Sequence, residues 1–209
     1  MTFSVIIPVL YNFEGCCKLL ASIKEPFVPI IVDNWDYNRG VAAGWNNGIQ
    51  RSLDMGITEF VIMNDDTYFQ EGSYPSQLIK ELDDNTGFVM GEEGFAYFAT
   101  NKNAVEKIGW FDENIWPAYF EDNDFAIRTK LKGMQYKAII HSKIIHEKSK
   151  TQFWKGTGDE ERTVSHNQFR NNQEYYLAKW GGLPGYETYK EPFNGLNSEE
   201  FKHLINERS

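Results

Sequence analysis

Acidic residues cluster at two places in this sequence, and both clusters adjoin apolar segments. In the first, the four apolar residues FVIM run directly into Asn64, Asp65 and Asp66. In the second, residues 121–124 read EDND and precede further apolar positions. Grouped carboxylates can bind a divalent cation, and one of them can act as a general base that takes a proton from a hydroxyl group. Turns and helix caps use the same residue types, so the spacing alone does not say which acid is the base.

Asp33 and His146 extend this set of candidate residues. Asp33 ends the apolar segment VPIIV, and His146 ends the segment KIIH. A single histidine after an apolar segment is more often structural, but beside an acidic pair it becomes a candidate metal ligand. Carboxylate and imidazole ligands together suit Mn²⁺, and carboxylates suit Mg²⁺.

The charge of the chain restricts what it can bind. A net charge of -9 counts against a nucleic-acid partner, because nucleic acids are bound mainly by clustered lysine and arginine. A diphosphate would also be repelled by the aspartates unless a divalent cation lay between them, so the acidic pair predicts a metal and a phosphorylated ligand. The sequence has no G-x-x-x-x-G-K-[ST] or G-x-G-x-x-G phosphate loop. Lys148, Lys150 and Lys155 would therefore supply the further contacts to phosphate.

The elements that position these residues alternate between strand and helix in the first third of the chain. The apolar segments FSVII, closed by Pro8, VPIIV and FVIM predict three buried strands. Asn12 is a suitable N-cap for a first helix, and Val41, Trp45 and Ile49 recur every four residues in a second helix that Gly56 ends. The order predicts an α/β fold with a Rossmann-like, mostly parallel central sheet and helices on both faces. Ligands of such sheets bind at the carboxyl ends of the strands.

The rest of the chain is less regular. GFVMG and GFAYFAT predict strands, NKNAVEKIG a helix, KAIIHSKIIH one or two short strands, and SEEFKHLIN a short helix. Residues 147–166 are polar and lack a sustained period, which indicates a mobile loop or lid. The length fits one domain. Without a signal peptide or a membrane span, we expect a cytoplasmic protein, and peripheral contact with a membrane stays open.

Five segments in a fixed order resemble a known family. They are SVIIPVLYN, VDN, NRGVAAGWNNGI, MNDDT, and PAYFEDNDFAIR followed by IIH. In this order and spacing, over roughly residues 1–150, the chain resembles the inverting family 2 glycosyltransferases of the GT-A fold. The motif sequences are most similar to those of rhamnosyltransferase-like members, and KW at 179–180 extends the resemblance weakly.

The resemblance implies a metal-dependent enzyme that moves a sugar from a UDP- or dTDP-linked donor to a hydroxyl of a glycan or lipid-linked acceptor. It implies a donor half at residues 1–100 and an acceptor half at 101–209. Asp122 matches the catalytic base, and Asp66 and His146 match the metal site for Mn²⁺ or Mg²⁺. Asn64 stands at the first position of the metal-binding D-x-D motif, which is a departure from the family pattern. The positions that match the donor site are Pro8, Asp33, Asn38, Arg39, Gly40, Asn64, Asp65 and Glu121.

Two alternatives remain at this stage. A sugar nucleotidyltransferase also uses acids and a metal, but such enzymes usually have a Gly- and Lys/Arg-rich loop after the first strand, where this chain has PVLYNFEG. The other alternative is a non-catalytic module that binds sugar nucleotides or glycans, with Trp35, Trp116 and Trp154 as stacking platforms. A binding module has no need of a general base.

Overall fold

The structure is a computed structural model that describes residues 2–34, 37–140, 143–147 and 166–206. Its strands are β1 Ser4–Val9, β2 Val28–Asp33, β3 Glu59–Met63, β4 Thr67–Phe69, β5 Thr86–Gly91, β6 Gly94–Asn101, β7 Gln135–Ala138 and β8 Ile144–His146. Its α-helices are α1 Phe13–Ser22, α2 Val41–Asp54, α3 Ser76–Ile79, α4 Lys102–Ile108, α5 Glu121–Leu131 and α6 His166–Trp180. Two 3₁₀ helices follow at Pro192–Gly195 and Ser198–Leu204.

The central sheet has six strands in the order β2-β1-β3-β6-β5-β7. The pairs β1–β2, β1–β3 and β5–β7 are parallel, which confirms the predicted mostly parallel α/β sheet. Strand β6 is antiparallel to both of its neighbours. Its direction follows from the connection, because β5 and β6 are separated only by Glu92 and Glu93, and so short a link can join only antiparallel strands.

Pro8 lies inside β1, although proline cannot donate a hydrogen bond to a neighbouring strand. The pairing explains why it is tolerated. Strand β1 pairs with β3 only from Ser4 to Ile6, whereas its pairing with β2 continues to Val9. Pro8 therefore lies beyond the last residue that pairs on the β3 side, at the edge where the parallel strands end.

Helices cover both faces of the sheet, as predicted. On one face, Leu19 of α1 and Leu78 of α3 pack with the β1 residues Val5 and Ile7. On the other face, the predicted stripe of α2 places Trp45 and Ile49 in a core shared with α4 and α5. Burying each large apolar side chain contributes roughly 1.5 to 3 kcal/mol, so the two cores hold the helices firmly against the sheet.

A third core joins α5, α6 and the 3₁₀ helices. It contains Phe120, Tyr176, Trp180 and Phe193, all of them buried. The sequence patterns did not predict α6, whose buried face includes polar residues. Residues 148–165 of the predicted lid lie outside the described part of the chain.

None of the described helices is both long and apolar enough to cross a bilayer.

Candidate active site

A cleft of about 470 Å³ opens at the edge of the sheet where the parallel strands end. Its lining comes from the loops after β1, β2 and β3, from the start of β6 and from the segment that leads into α5. Most of the predicted site residues line it, although they come from positions up to 138 residues apart, from 8 to 146. The lining includes Pro8, Asn38, Gly40, Asn64, Asp65, Asp66, Glu121, Asp122 and His146.

Two predicted donor-site residues lie elsewhere. Asp33 and Arg39 are exposed and are not part of the cleft lining. Asn34, the neighbour of Asp33, is buried and lines the cleft instead. Side chains of an extended segment alternate in direction, so adjacent residues of the VDN segment face different ways. The donor-binding roles of Asp33 and Arg39 stay predictions.

The two adjacent aspartates at the end of β3 have different surroundings. Asp65 is 3% exposed, and its Oδ2 accepts a hydrogen bond of 3.2 Å from the backbone N–H of Leu10. The side-chain amide of Asn12 donates to the backbone oxygen of Asp65 at 3.0 Å, while the Asn12 Oδ1 caps α1 through the N–H of Gly15. Asp65 therefore ties the loop after β1 to the end of β3, and this fixes one wall of the cleft.

Asp66 lies next to His146 through the pairing of two three-residue strands. Strands β4 and β8 are antiparallel with Thr67 opposite His146, and the N–H of Glu147 donates to the backbone oxygen of Asp66 at 2.9 Å. The His146 Nε2 is 3.1 Å from the Asp66 Oδ1. Hydrogen bonding to Asp66, and more weakly to Glu93, raises the pKa of His146 against the opposing effect of burial.

Among the described residues, no three His, Cys, Asp or Glu side chains form a group that could hold a metal ion. The two residues that the sequence predicts as metal ligands, Asp66 and His146, lie next to each other near the end of β3. A pair of protein ligands suits Mn²⁺ or Mg²⁺ when substrate phosphates and water complete the coordination. The donor set thus fits an ion that binds together with a diphosphate.

The second acidic cluster begins α5. Tyr119 and Phe120 precede it with φ values of 76° and 80°, a left-handed conformation that is rare for bulky residues and is found mainly at functional sites. The side-chain amide of Asn172 in α6 donates to the backbone oxygen of Ala118 at 2.9 Å and helps to hold this turn. The turn brings Glu121 and Asp122, the first two residues of α5, to the cleft.

Glu121 and Asp122 both line the cleft, and both have raised pKa values. Glu121 is 6% exposed, and its Oε2 has no hydrogen-bond partner in the described structure. Burial, aided by the charge of Asp122, raises the pKa of Glu121 to about 8. Burial also raises the pKa of Asp122, although its Oδ1 accepts a 2.7 Å hydrogen bond from the N–H of Asn123. Asp122 is the more accessible of the two acids.

Asp124, the third acid of the cluster, faces the core. It is fully buried, and Arg128, Lys179 and Trp180 contact it at 2.8, 2.6 and 2.9 Å. Lys179 also lies 2.6 Å from Asp112. Asp112 and Asp124 thus pair with Arg128 and Lys179 in a charge-balanced network. The KW segment at 179–180, which extended the family resemblance, therefore has a structural role in this network.

The NRG segment is held by the segment before α5. The Trp116 Nε1 donates to the backbone oxygen of Asn38 at 2.9 Å, and the N–H of Val41 donates to Pro117 at 2.8 Å. Gly40 has a φ of 84°, and a Cβ there would lie 2.7 Å from Trp116. Trp116 is buried in this contact, so it is not the stacking platform considered above. Trp35 and Trp154 lie outside the described residues.

Sequence reasoning missed several lining residues, among them Asn34, Trp45, Glu93 and Tyr119. The Oδ1 of Asn34 and the Nε1 of Trp45 are buried without hydrogen-bond partners in the described structure. Buried polar atoms of this kind are usually satisfied, so they are available to a ligand in the cleft. The VDN segment, which resembles the family, could have indicated Asn34 as a site residue. Trp45 belongs to the apolar stripe of α2, and such a stripe predicts a core position.

The cleft is strongly acidic. Five carboxyl groups line it, those of Asp65, Asp66, Glu93, Glu121 and Asp122, and the lining has no lysine or arginine from the described residues. An anionic ligand would enter this cleft only with a cation that offsets the repulsion, or with basic residues supplied from elsewhere.

No protein-family model matches the sequence. A galactofuranosyl glycosyltransferase of Leishmania donovani is 35% identical over 74 residues, a match that covers 34% of this chain and 17% of that protein. The catalytic domain of Drosophila β1,4-galactosyltransferase 7 in complex with xylobiose is similar in structure, with a TM-score of 0.60 and 14% identity over 90% of this chain and 82% of that one. A mutant of the Drosophila enzyme, solved with manganese, UDP-Gal and xylobiose, gives a TM-score of 0.53 at 12% identity and covers 100% of this chain and 82% of that one. The fold of this chain is accordingly the GT-A fold.

Proposed function

We propose that this protein is a metal-dependent inverting glycosyltransferase that moves a sugar from a nucleoside diphosphate sugar to an acceptor hydroxyl. The observation that carries the proposal is the acidic cleft, whose lining brings the adjacent pair Asp66 and His146 together with Asp122. The GT-A fold supports it, since the similar structures are glycosyltransferases. The short match to a galactofuranosyl glycosyltransferase agrees with it.

The donor would occupy the cleft beside the loops that follow the parallel strands. We expect the nucleotide near Pro8, Asn38 and Gly40, at the carboxyl ends of β1 and β2, as is usual for nucleotides on open α/β sheets. The diphosphate would lie near Asn64 and Asp66, with a divalent cation offsetting the charge. Asp66 and His146 would hold this cation, Mn²⁺ or Mg²⁺, which when bound would offset the negative charge that develops on the departing nucleoside diphosphate.

Asp122 is the proposed general base. Its carboxylate takes the proton of the acceptor hydroxyl while the acceptor oxygen forms a bond to the anomeric carbon. The bond from that carbon to the diphosphate oxygen breaks on the opposite face, and the nucleoside diphosphate leaves with the bonding electrons. One displacement of this kind inverts the anomeric configuration and needs no covalent enzyme intermediate. The raised pKa of Asp122 makes it a stronger base than an ordinary aspartate.

Glu121 would contact the donor sugar. Its pKa of about 8 leaves it protonated near neutral pH, so it can donate a hydrogen bond to a sugar oxygen, and Oε2 can accept one. The Nε1 of Trp45 and the Oδ1 of Asn34 are further polar atoms that a donor could engage.

The identities of the donor nucleotide and of the acceptor form a more detailed part of the proposal. Uridine or thymidine donors fit the resemblance, and UDP-Gal bound to the Drosophila enzyme favours a UDP-linked sugar. The rhamnosyltransferase-like subtype would instead use dTDP-rhamnose. The acceptor would be a glycan, as xylobiose is in the Drosophila complexes, or a lipid-linked sugar.

The substitution Asp122→Asn tests the proposal, because it removes the base and keeps the shape of the side chain. We expect release of UDP or dTDP from a panel of donor sugars, with mixed glycan acceptors, to fall by about 10² to 10⁴-fold. Nucleotide affinity should stay within about threefold of the native value. Asp84→Asn, an exposed aspartate outside the cleft, is the matched control and should keep full turnover. Native turnover in Asp122→Asn would refute the assignment of the base.

A further inference from the structure

The imidazole of His146 lies between two carboxylates that come from different parts of the chain. The Nε2 is 3.1 Å from the Asp66 Oδ1, and the Nδ1 is 3.4 Å from the Glu93 Oε2. The two ring nitrogens of an imidazole point away from each other. Asp66 and Glu93 therefore contact opposite edges of the ring, which explains why the three side chains do not converge on one ion.

Glu93 is held in place by the central sheet. It lies in the two-residue link between β5 and β6, and its backbone oxygen accepts a hydrogen bond of 3.2 Å from Ala96. The backbone oxygen of Ala96 in turn accepts from the N–H of Asn64 at 3.0 Å. The Glu93 side chain is 27% exposed and lines the cleft. The backbone of Glu93 is thus tied to the end of β3, directly before the turn formed by Asp65 and Asp66.

Resting on the function proposed above, we propose that Glu93 is the positioning residue of the metal site. Its carboxylate accepts the Nδ1–H of His146, and this leaves Nε2 on the side of Asp66 as the ligand for the divalent cation. Histidines that bind metals commonly donate their other ring N–H to a carboxylate, which fixes the tautomer and the ring orientation. Glu93 itself touches neither the ion nor the substrate in this arrangement.

The proposal assigns one tautomer to the metal-bound state. A neutral imidazole carries a single N–H, and a metal ion needs the lone pair of the other nitrogen. With the proton kept on Nδ1 by Glu93, the lone pair is on Nε2, and any proton on Nε2 is released to solvent when the ion binds. Without Glu93, the proton can occupy either nitrogen and the ring is free to turn.

Mn²⁺ titrations in the presence of UDP test this role. We expect Glu93→Ala to weaken Mn²⁺ affinity by about 10 to 100-fold. Glu93→Gln should recover part of this loss, because its amide oxygen can still accept the Nδ1–H. Glu92→Ala is the matched control: it removes the same charge from the same turn, at an exposed position outside the cleft lining, and should bind Mn²⁺ within about twofold of the native protein.

Pulsed electron paramagnetic resonance of bound Mn²⁺ gives a second readout, which reports the ring geometry directly. We expect nitrogen coupling from His146 in the native protein, weaker coupling in Glu93→Ala, and recovered coupling in Glu93→Gln. Native affinity and coupling in Glu93→Ala would overturn the proposal. Mn²⁺-dependent UDP binding without nitrogen coupling in the native protein would also overturn it and leave the proposed function standing. If Mn²⁺ does not promote UDP binding at all, the metal-dependent function falls as well.

Discussion

At the scale of single residues, neighbouring acids of the same cluster have different tasks because they meet different surroundings. Asp65 lines the cleft but is buried and accepts a hydrogen bond from Leu10, so it ties two loops together. Asp124 is buried against Arg128 and Lys179 and stabilises the core. Asp66 and Asp122 face the cleft. Clustered carboxylates in a sequence therefore do not share one role, and the division depends on contacts that only the fold supplies.

Glu121 predicts a dependence of stability on pH. The pKa of Glu121 is about 8 in the folded protein, against an ordinary glutamate value of 4.5. Between these two pH values the folded state keeps a proton that the unfolded state has already lost. The free energy of unfolding therefore falls as the pH rises from about 4.5 to about 8. Glu121→Gln mimics the protonated side chain and should remove this dependence. We expect it to match the native protein near pH 4.5 and to melt at a higher temperature at pH 9.

Thermal denaturation across this pH range measures the effect. Glu106→Gln, an exposed glutamate on α4, is the control and should follow the native curve. Parallel curves for Glu121→Gln and the native protein would show that Glu121 ionises normally in the folded state.

The role of Asp122 as general base predicts how activity changes with pH on the acidic side of the optimum. A base must be deprotonated to act, so turnover should rise with pH through the pKa of Asp122, which burial places above the usual aspartate value. The pH dependence of kcat/KM, measured with saturating Mn²⁺, checks this. An apparent pKa of about 3.9 in this profile, the ordinary value for aspartate, would contradict the buried environment described for Asp122.

At the scale of elements, a buried charged network joins α5 to α6. Lys179 of α6 lies 2.6 Å from both Asp112 and Asp124. Lys179→Met would leave these two acids facing each other with one cation fewer. Removal of one partner from a buried ion pair typically costs about 3 to 5 kcal/mol, and we expect a loss of this size in urea denaturation.

The double variant Lys179→Met with Asp112→Asn restores the balance of charge in this network. It should regain part of the lost stability, although the hydrogen bond from Tyr175 to Asp112 is altered. If Lys179→Met alone is as stable as the native protein, the network does not carry the contact between α5 and α6.

The same network shows how far the sequence could predict these elements. Apolar periodicity predicted β1, β2, β3 and α2 because the residues that these elements contribute to the two cores are apolar. The same periodicity did not predict helix α6, because two of its five buried positions are polar. Their spacing is nevertheless helical, and a search that allowed buried polar residues would have found it; the positions are Asn172, Tyr175, Tyr176, Lys179 and Trp180.

At the scale of the whole molecule, the cleft assembles residues that no local pattern connects. His146 reaches Asp66 through a pairing of two strands with three residues each, too short for periodicity to reveal. Glu93 reaches His146 through the antiparallel direction of β6, which depends on a link of two residues. The motifs indicated which residues belong to the cleft, whereas the partners of each side chain follow from sheet order and register. The division into a donor half and an acceptor half and the cytoplasmic location stay predictions.

The most direct test of the central claim is thermal stabilisation by UDP, and separately by dTDP, with and without Mn²⁺. Ligand at a hundredfold excess over its Kd stabilises by about 2.7 kcal/mol, which corresponds to roughly 5 to 10 °C in Tm for a chain of this size. We expect a shift that requires both nucleotide and Mn²⁺, is absent in Asp66→Ala and is retained in the exposed control Asp84→Ala. A shift that needs no metal, or one that survives in Asp66→Ala, would contradict a nucleotide diphosphate held through a cation at the end of β3.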